Sequence, residues 1–328
     1  MRTAIVLVML LTACASSTLE KSFPMLPQQD RCETVAEDRQ WLADALANWQ
    51  TVSRDFLSAP DQRLPLIVTF DSRCSYTLAA APGSPSQWSV LEHGGAISLP
   101  NAAKIPPAPN AFNAVTEAGE NFVVMSLPSI WRPVAPKSEI PLEWFLEGVM
   151  FHELSHAYQS AVTPQISFPA LLKTLSLPAN VNDDSVQEAF KANPTYVHAY
   201  EAERDLMFRA ASAPTDTEAR ALTCEALDRL RARRESHFAG PTGHWALVDE
   251  ISLTTEGLGE WVSYKWLTSA RGLSPSLVLP KLRGPYWSQE QGLAIFLIVE
   301  RLVPDWQQHL FSRSPATAEA LLALSCGR

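Results

Sequence analysis

His152 and His156 stand four residues apart in "VMFHELSHAY" (149–158), with Glu153 directly after the first histidine. On an α-helix, residues i and i+4 lie one above the other, so both imidazoles can reach a single ion. A glutamate one position further on is rotated by about 100° and stands beside the ion, where its carboxylate can take a proton from a water. Bound zinc lowers the pKa of such a water from 15.7 toward ~7, which makes it a nucleophile at neutral pH. Apart from Glu153 the stretch carries no formal charge, as a buried helix bearing a metal site requires.

This His-Glu-x-x-His pattern resembles the zincin metallopeptidases. A catalytic zinc takes three protein ligands and keeps one position open. The residues after His156, "AYQSAVTPQIS", lack the glycine and third histidine of the metzincin branch. Instead "TTEGLGEWVSYKW" (254–266) is similar to the Glu-Gly-x-Ala stretch with which gluzincins of the aminopeptidase N type supply a glutamate ligand. The resemblance implies Glu256 as the third ligand and Glu260 as a carboxylate that orients a ligating histidine. Gly259 stands where that family carries alanine. Glu256 follows His156 by 100 residues (256 − 156) against about a score in the family, which implies a helical insertion. Glu203 or Glu201, in "YVHAYEAERDLMF", remains an alternative third ligand, with His198 behind them. Tyr264 is the expected proton donor to the oxyanion, with His237 and His244 as substitutes. The upstream segment 121–127, "NFVVMSL", is expected to be the edge strand along which a peptide would lie.

The first residues read as a targeting segment. Arg2, the apolar run 4–11 and "LTAC" (11–14) resemble a bacterial lipoprotein signal, which implies cleavage before Cys14 and lipidation of that cysteine. Residues 1–13 are then a signal peptide and 14–30 a tether. Ala15, in place of an aspartate, implies the outer membrane, facing the periplasm. Four further cysteines, Cys32, Cys74, Cys224 and Cys326, allow three pairings in an oxidising compartment. Cys32–Cys74 and Cys224–Cys326 are favoured, because each would tie neighbouring segments and the second would pin the C-terminus.

The chain has 328 residues, 46% of them hydrophobic, with a formal net charge of -9, so no nucleic-acid footprint is expected. The densest basic run, 229–234, sits at helical spacing and reads as a solvated helix face. Helical periodicity covers 32–57, and "LPLIVTF" (64–70) reads as a strand. The Pro-rich part 72–141 reads as irregular, with short strands near 88–91, 96–99 and 121–127, and its 100–141 portion as a lid or specificity loop. Further helices are expected at 141–162, opened by Pro141 in its first turn, and at 184–192, 196–211, 215–236, 246–270, 288–302 and 315–325. These elements predict an α+β chain: an N-terminal subdomain over 31–141 and a helical, metal-binding subdomain over 142–328, zincin-like by the resemblance. The functional expectation is a Zn2+-dependent peptidase acting on peptides or proteins at the cell envelope, membrane-held through Cys14. The alternative is a non-catalytic envelope lipoprotein that binds a partner protein or cell-wall component.

Overall fold

The computed structural model describes residues 25–27, 31–59, 63–79, 87–178 and 180–327. The expected signal peptide, the lipidation site at Cys14 and all of the tether except 25–27 lie outside these residues. The described strands are β1 (Leu66–Phe70), β2 (Cys74–Ala79), β3 (Gln87–Glu92), β4 (Ile97–Ser98), β5 (Lys104–Ile105), β6 (Ala111–Val115) and β7 (Asn121–Ser126). Five of them form a mixed sheet in the order β3-β2-β1-β7-β6, with only β1 and β7 parallel. The architecture is α+β.

The apolar runs "LIVTF" and "FVVMS" are the two central strands, and both faces of each are buried. Ile67, Val123 and Met125 point into the main core, together with Cys74, Tyr76 and Leu78 of β2. Val68, Phe70, Phe122 and Val124 point the other way and are covered by Ile97 and Leu99 beside the β4–β5 ribbon. Two expectations are corrected here. The segment 121–127 is an interior strand, and the free edge next to it is β6, which pairs antiparallel with β7. The region read as mostly irregular also contributes β2 and β6 to the sheet. Their side chains meet different environments on the two faces, so their apolar pattern is weak.

The helices are α1 (Ala36–Asp55), α2 (Pro128–Trp131), α3 (Leu142–Val162), α4 (Phe168–Leu175), α5 (Ser185–Phe190), α6 (Pro194–Ala211), α7 (Asp216–His237), α8 (His244–Lys265), α9 (Pro275–Leu282), α10 (Trp287–Leu302), α11 (Trp306–Leu310) and α12 (Ala318–Cys326). Local signals set several starts. Asn193 caps α6 by accepting from the Thr195 and Tyr196 amides, with Pro194 at the first helical position. Thr215 caps α7 by accepting from the Glu218 amide. A π-turn, Trp266–Ala270, prolongs α8.

Helix α8 is the central element, buried along most of its length between α3 and α10. It meets α10 at Gly257 and Gly292, where a Cβ on either glycine would fall within 2.7 Å of the other residue's Cα. It meets α3 at Ser263, whose hydroxyl donates to the Gly148 carbonyl at 2.7 Å. Ion pairs hold it at both ends. Asp249 accepts from Arg234 at 2.8 Å and from Arg233 at 3.3 Å. Beyond the π-turn, Arg271 pairs with Glu147 of α3 at 2.6 Å and lies over the Trp266 and Trp144 rings. The solvated-face reading of 229–234 is therefore corrected: Arg233 and Arg234 are buried, each compensated by carboxylates, while Arg229 and Arg231 stay on the outer side.

Both favoured disulfides are present, Cys32–Cys74 joining the chain before α1 to β2 and Cys224–Cys326 joining α7 to α12. No helix among the described residues is long and apolar enough to cross a membrane.

Candidate metal centre

His152 and His156 project from α3 toward α8, and the side chain of Glu256 comes to meet them from that helix. One Glu256 oxygen lies 3.2 Å from Nε2 of His152 and the other 3.2 Å from Nε2 of His156. All three residues are buried, and their donor atoms lie within 4.8 Å of one another. Ligand atoms about 2.0–2.1 Å from a tetrahedral ion stand about 3.3 Å apart, so this donor set fits a metal such as zinc. Glu260, one turn after Glu256, approaches Nδ1 of His152 at 3.5 Å and can fix its tautomer and ring plane.

Close packing makes the arrangement possible. Gly259 lies against the His152 ring, and a Cβ there would sit 2.7 Å from its Cγ and Cδ2. The glycine at this position lets α8 come near enough for Glu256 and Glu260 to grip both nitrogens of one imidazole. Gln289, held near by the α8–α10 contact, donates to Glu256 at 3.2 Å.

Without a metal, the histidines and glutamates of the site stabilise one another's charges. Burial works against a charged His152, but its hydrogen bonds to Glu256 and Glu260 outweigh that and hold its pKa well above the ordinary imidazole range. Burial likewise opposes the Glu256 carboxylate, yet the His156 charge and the hydrogen bond from His152 hold its pKa well below the carboxylate range. On the other side of the triad, burial and the Glu256 charge push the Asp183 carboxyl up to about 7. Asp183, just ahead of α5, was not singled out from the sequence. Its only signal is the adjacent pair Asp183-Asp184 before a short helix.

Glu153 lines a cleft of about 440 Å³ that is also lined by His152 and Glu260. Its Oε2 accepts from Asn113 Nδ2 of the edge strand β6 at 3.4 Å. Asn110 and Ala111 at the start of β6, α9 and the turn into α10 complete the walls.

The remaining expected residues lie elsewhere. Glu203 is fully buried, but both of its oxygens are taken by Arg233, at 3.0 and 3.1 Å, so it neutralises a guanidinium and does not serve the triad. Glu201 and His198 are exposed on α6. His237 packs edge-on to Tyr196, and His244 lies against Trp245. Tyr264 is half-buried, with its pKa raised by burial and by Glu300, a residue of α10 that pairs with Lys265. It is not among the residues that line the cleft. The tyrosine on the cleft wall is Tyr286.

Comparison with protein-family models, with curated proteins and with solved structures finds no match to this chain. The resemblance to zincins therefore rests on the sequence motifs alone.

Proposed function

We propose that this chain is a zincin-like, zinc-dependent peptidase of the cell envelope. The observation that carries the reading is the meeting of His152, His156 and Glu256 in one buried donor set beside a cleft that holds Glu153. A structural zinc is closed by four protein ligands. Three donors converge here and the cleft lies next to them, an arrangement suited to an open coordination position.

Zinc bound at this site supplies Lewis acidity to a scissile carbonyl and lowers the pKa of water. The rest falls to the side chains. Asn113 holds Oε2 of Glu153, which leaves Oε1 to accept a proton from the attacking water and pass it to the leaving amine. Glu260 keeps His152 oriented through Nδ1. Tyr286 and Gln289 offer O–H and N–H donors along the opposite rim, in the role first expected of Tyr264. The open edge of β6 offers backbone groups to an extended peptide. The two disulfides support an oxidising compartment. Lipid attachment at Cys14 belongs to the same proposal, and the intact mass of mature chain extracted from membranes tests it.

The decisive experiment is elemental analysis of the purified soluble chain alongside His156→Ala and Glu256→Ala, with a peptide-library screen of the unaltered chain against Glu153→Gln. About one zinc per chain, lost in both ligand variants, is expected. Peptide cleavage that Glu153→Gln abolishes while zinc is retained is also expected. No zinc after reconstitution overturns the proposal and leaves the non-catalytic lipoprotein reading.

A further inference from the structure

We propose that the cleft selects peptides bearing a carboxylate near the scissile bond, either a chain terminus or an Asp or Glu side chain, and that Lys281 is the specificity-determining residue that reads it. The inference rests on the peptidase reading and names its substrate class.

Lys281 lies in the last turn of α9 and is, among the described residues, the only lysine or arginine on the cleft wall. The other cations of the surrounding helices are already paired. Two residues on, Arg283 turns away to Glu290 at 2.8 Å and Asp205 at 3.6 Å, and stacks over Phe208. Lys265 pairs with Glu300, Arg271 with Glu147 and Arg301 with Asp216. Among the described residues no carboxylate pairs with Lys281, so its ammonium is available to the cleft.

The charge across the cleft is asymmetric. Glu153 and Glu260 sit on the α3 and α8 walls, and Lys281 on the α9 wall. Much of the remaining surface is apolar, from Trp131, Phe145, Val149, Leu267 and Leu282. Walls of low polarity strengthen the field between the two sides. Lys281 attracts a substrate carboxylate toward the α9 wall, which favours one direction of the peptide in the cleft. Because the lysine is exposed, the preference must weaken with salt.

The test uses the full zinc-loaded chain carrying Glu153→Gln, which removes turnover, and fluorescence anisotropy of labelled peptides. The peptides are identical except for Glu, Gln or Lys at one position and for a free or amidated C-terminus. The acidic peptide is expected to bind about two- to five-fold tighter than its Gln counterpart at low salt, and less so at high salt. Lys281→Gln is expected to erase that ratio and Lys281→Glu to invert it in favour of the Lys peptide. A preference lost on amidation assigns the carboxylate to the chain terminus, and one that follows Glu assigns it to a side chain. If Lys281→Glu leaves the ratios unchanged while the unaltered chain cleaves the same peptides, the Lys281 assignment is overturned and the peptidase reading stands. If no peptide is bound or cleaved, both are overturned.

Discussion

Replacing Gly259 with alanine would place a methyl carbon 2.7 Å from Cγ and Cδ2 of His152 and 2.8 Å from its Cε1. Ordinary contact begins at 3.4 Å, so the ring or the helix must shift by about 0.7 Å. The ring cannot simply swing aside, since it is buried and both nitrogens face carboxylates, at 3.2 and 3.5 Å. Overpacking a core site costs about 1–3 kcal/mol, while alanine for glycine within a helix returns up to about 1 kcal/mol. The net loss of stability in the metal-free chain should therefore be small, about 0–2 kcal/mol. Metal binding should suffer more, because the shift moves a ligand atom and its orienting Glu260 together. Disturbing such outer contacts costs about 10- to 100-fold in affinity. The assay is a zinc titration in competition with a chromophoric chelator, paired with a thermal melt of the chelated protein. Affinity within about two-fold of the unaltered chain would refute the claim that glycine at 259 sets the spacing of the site.

Two other outcomes follow from the charge arrangement. Arg233→Ala strips the partner from a fully buried Glu203 and should cost about 3–5 kcal/mol, while the folded fraction still binds zinc at full stoichiometry; denaturant melts and metal analysis check both, and loss of zinc at equal folding would refute the independence of the Arg233–Glu203 pair from the metal site. In the chelated chain, His152 has a pKa raised above its ordinary 6.5, so its pairing with Glu256 stabilises fully below pH 6.5 and is lost as pH rises through the raised value. Asp183, raised from 3.8 to about 7, adds a loss in the same direction between those values. The melting temperature of the chelated chain should fall as pH rises above about 6.5, and zinc should remove the fall; a flat or rising profile without metal would contradict the assigned charges.

Most helices were legible because each buries a long apolar stripe, and periodicity records that directly. The expected segment 141–162 begins one residue before α3, for which Pro141 is the N-cap, and the expected 288–302 begins within one residue of α10. The short helices α4, α9 and α11 were missed, since five to eight residues carry too few turns for a period to show. Strand β6 was missed because its residues are all only half-buried at a sheet edge, so "AFNAV" shows no clean alternation. That omission shifted the expected substrate edge one strand inward, to β7.

At the site, the sequence by itself determined the parts fixed by one turn of one helix. The spacing of His152 and His156 and the sideways position of Glu153 follow from 3.6 residues per turn, whatever the rest of the chain does. Glu256 and Glu260 were legible through their motif and their shared helix face. Which distant carboxylate completes the triad was decided by tertiary packing, which brings together residues 104 apart. Glu203 and Glu256 are both buried glutamates on long helices, and one-dimensional spacing does not tell them apart. Arg233 claims the first, whereas Gly259 and the Gly257–Gly292 contact deliver the second to the histidines. Asp183, Asn113 and Lys281 join the site from a loop, an edge strand and a helix end, and only the packed structure sets where those stop beside α3. Helical periodicity is a local property of the backbone, but the approach of two helices depends on every side chain between them.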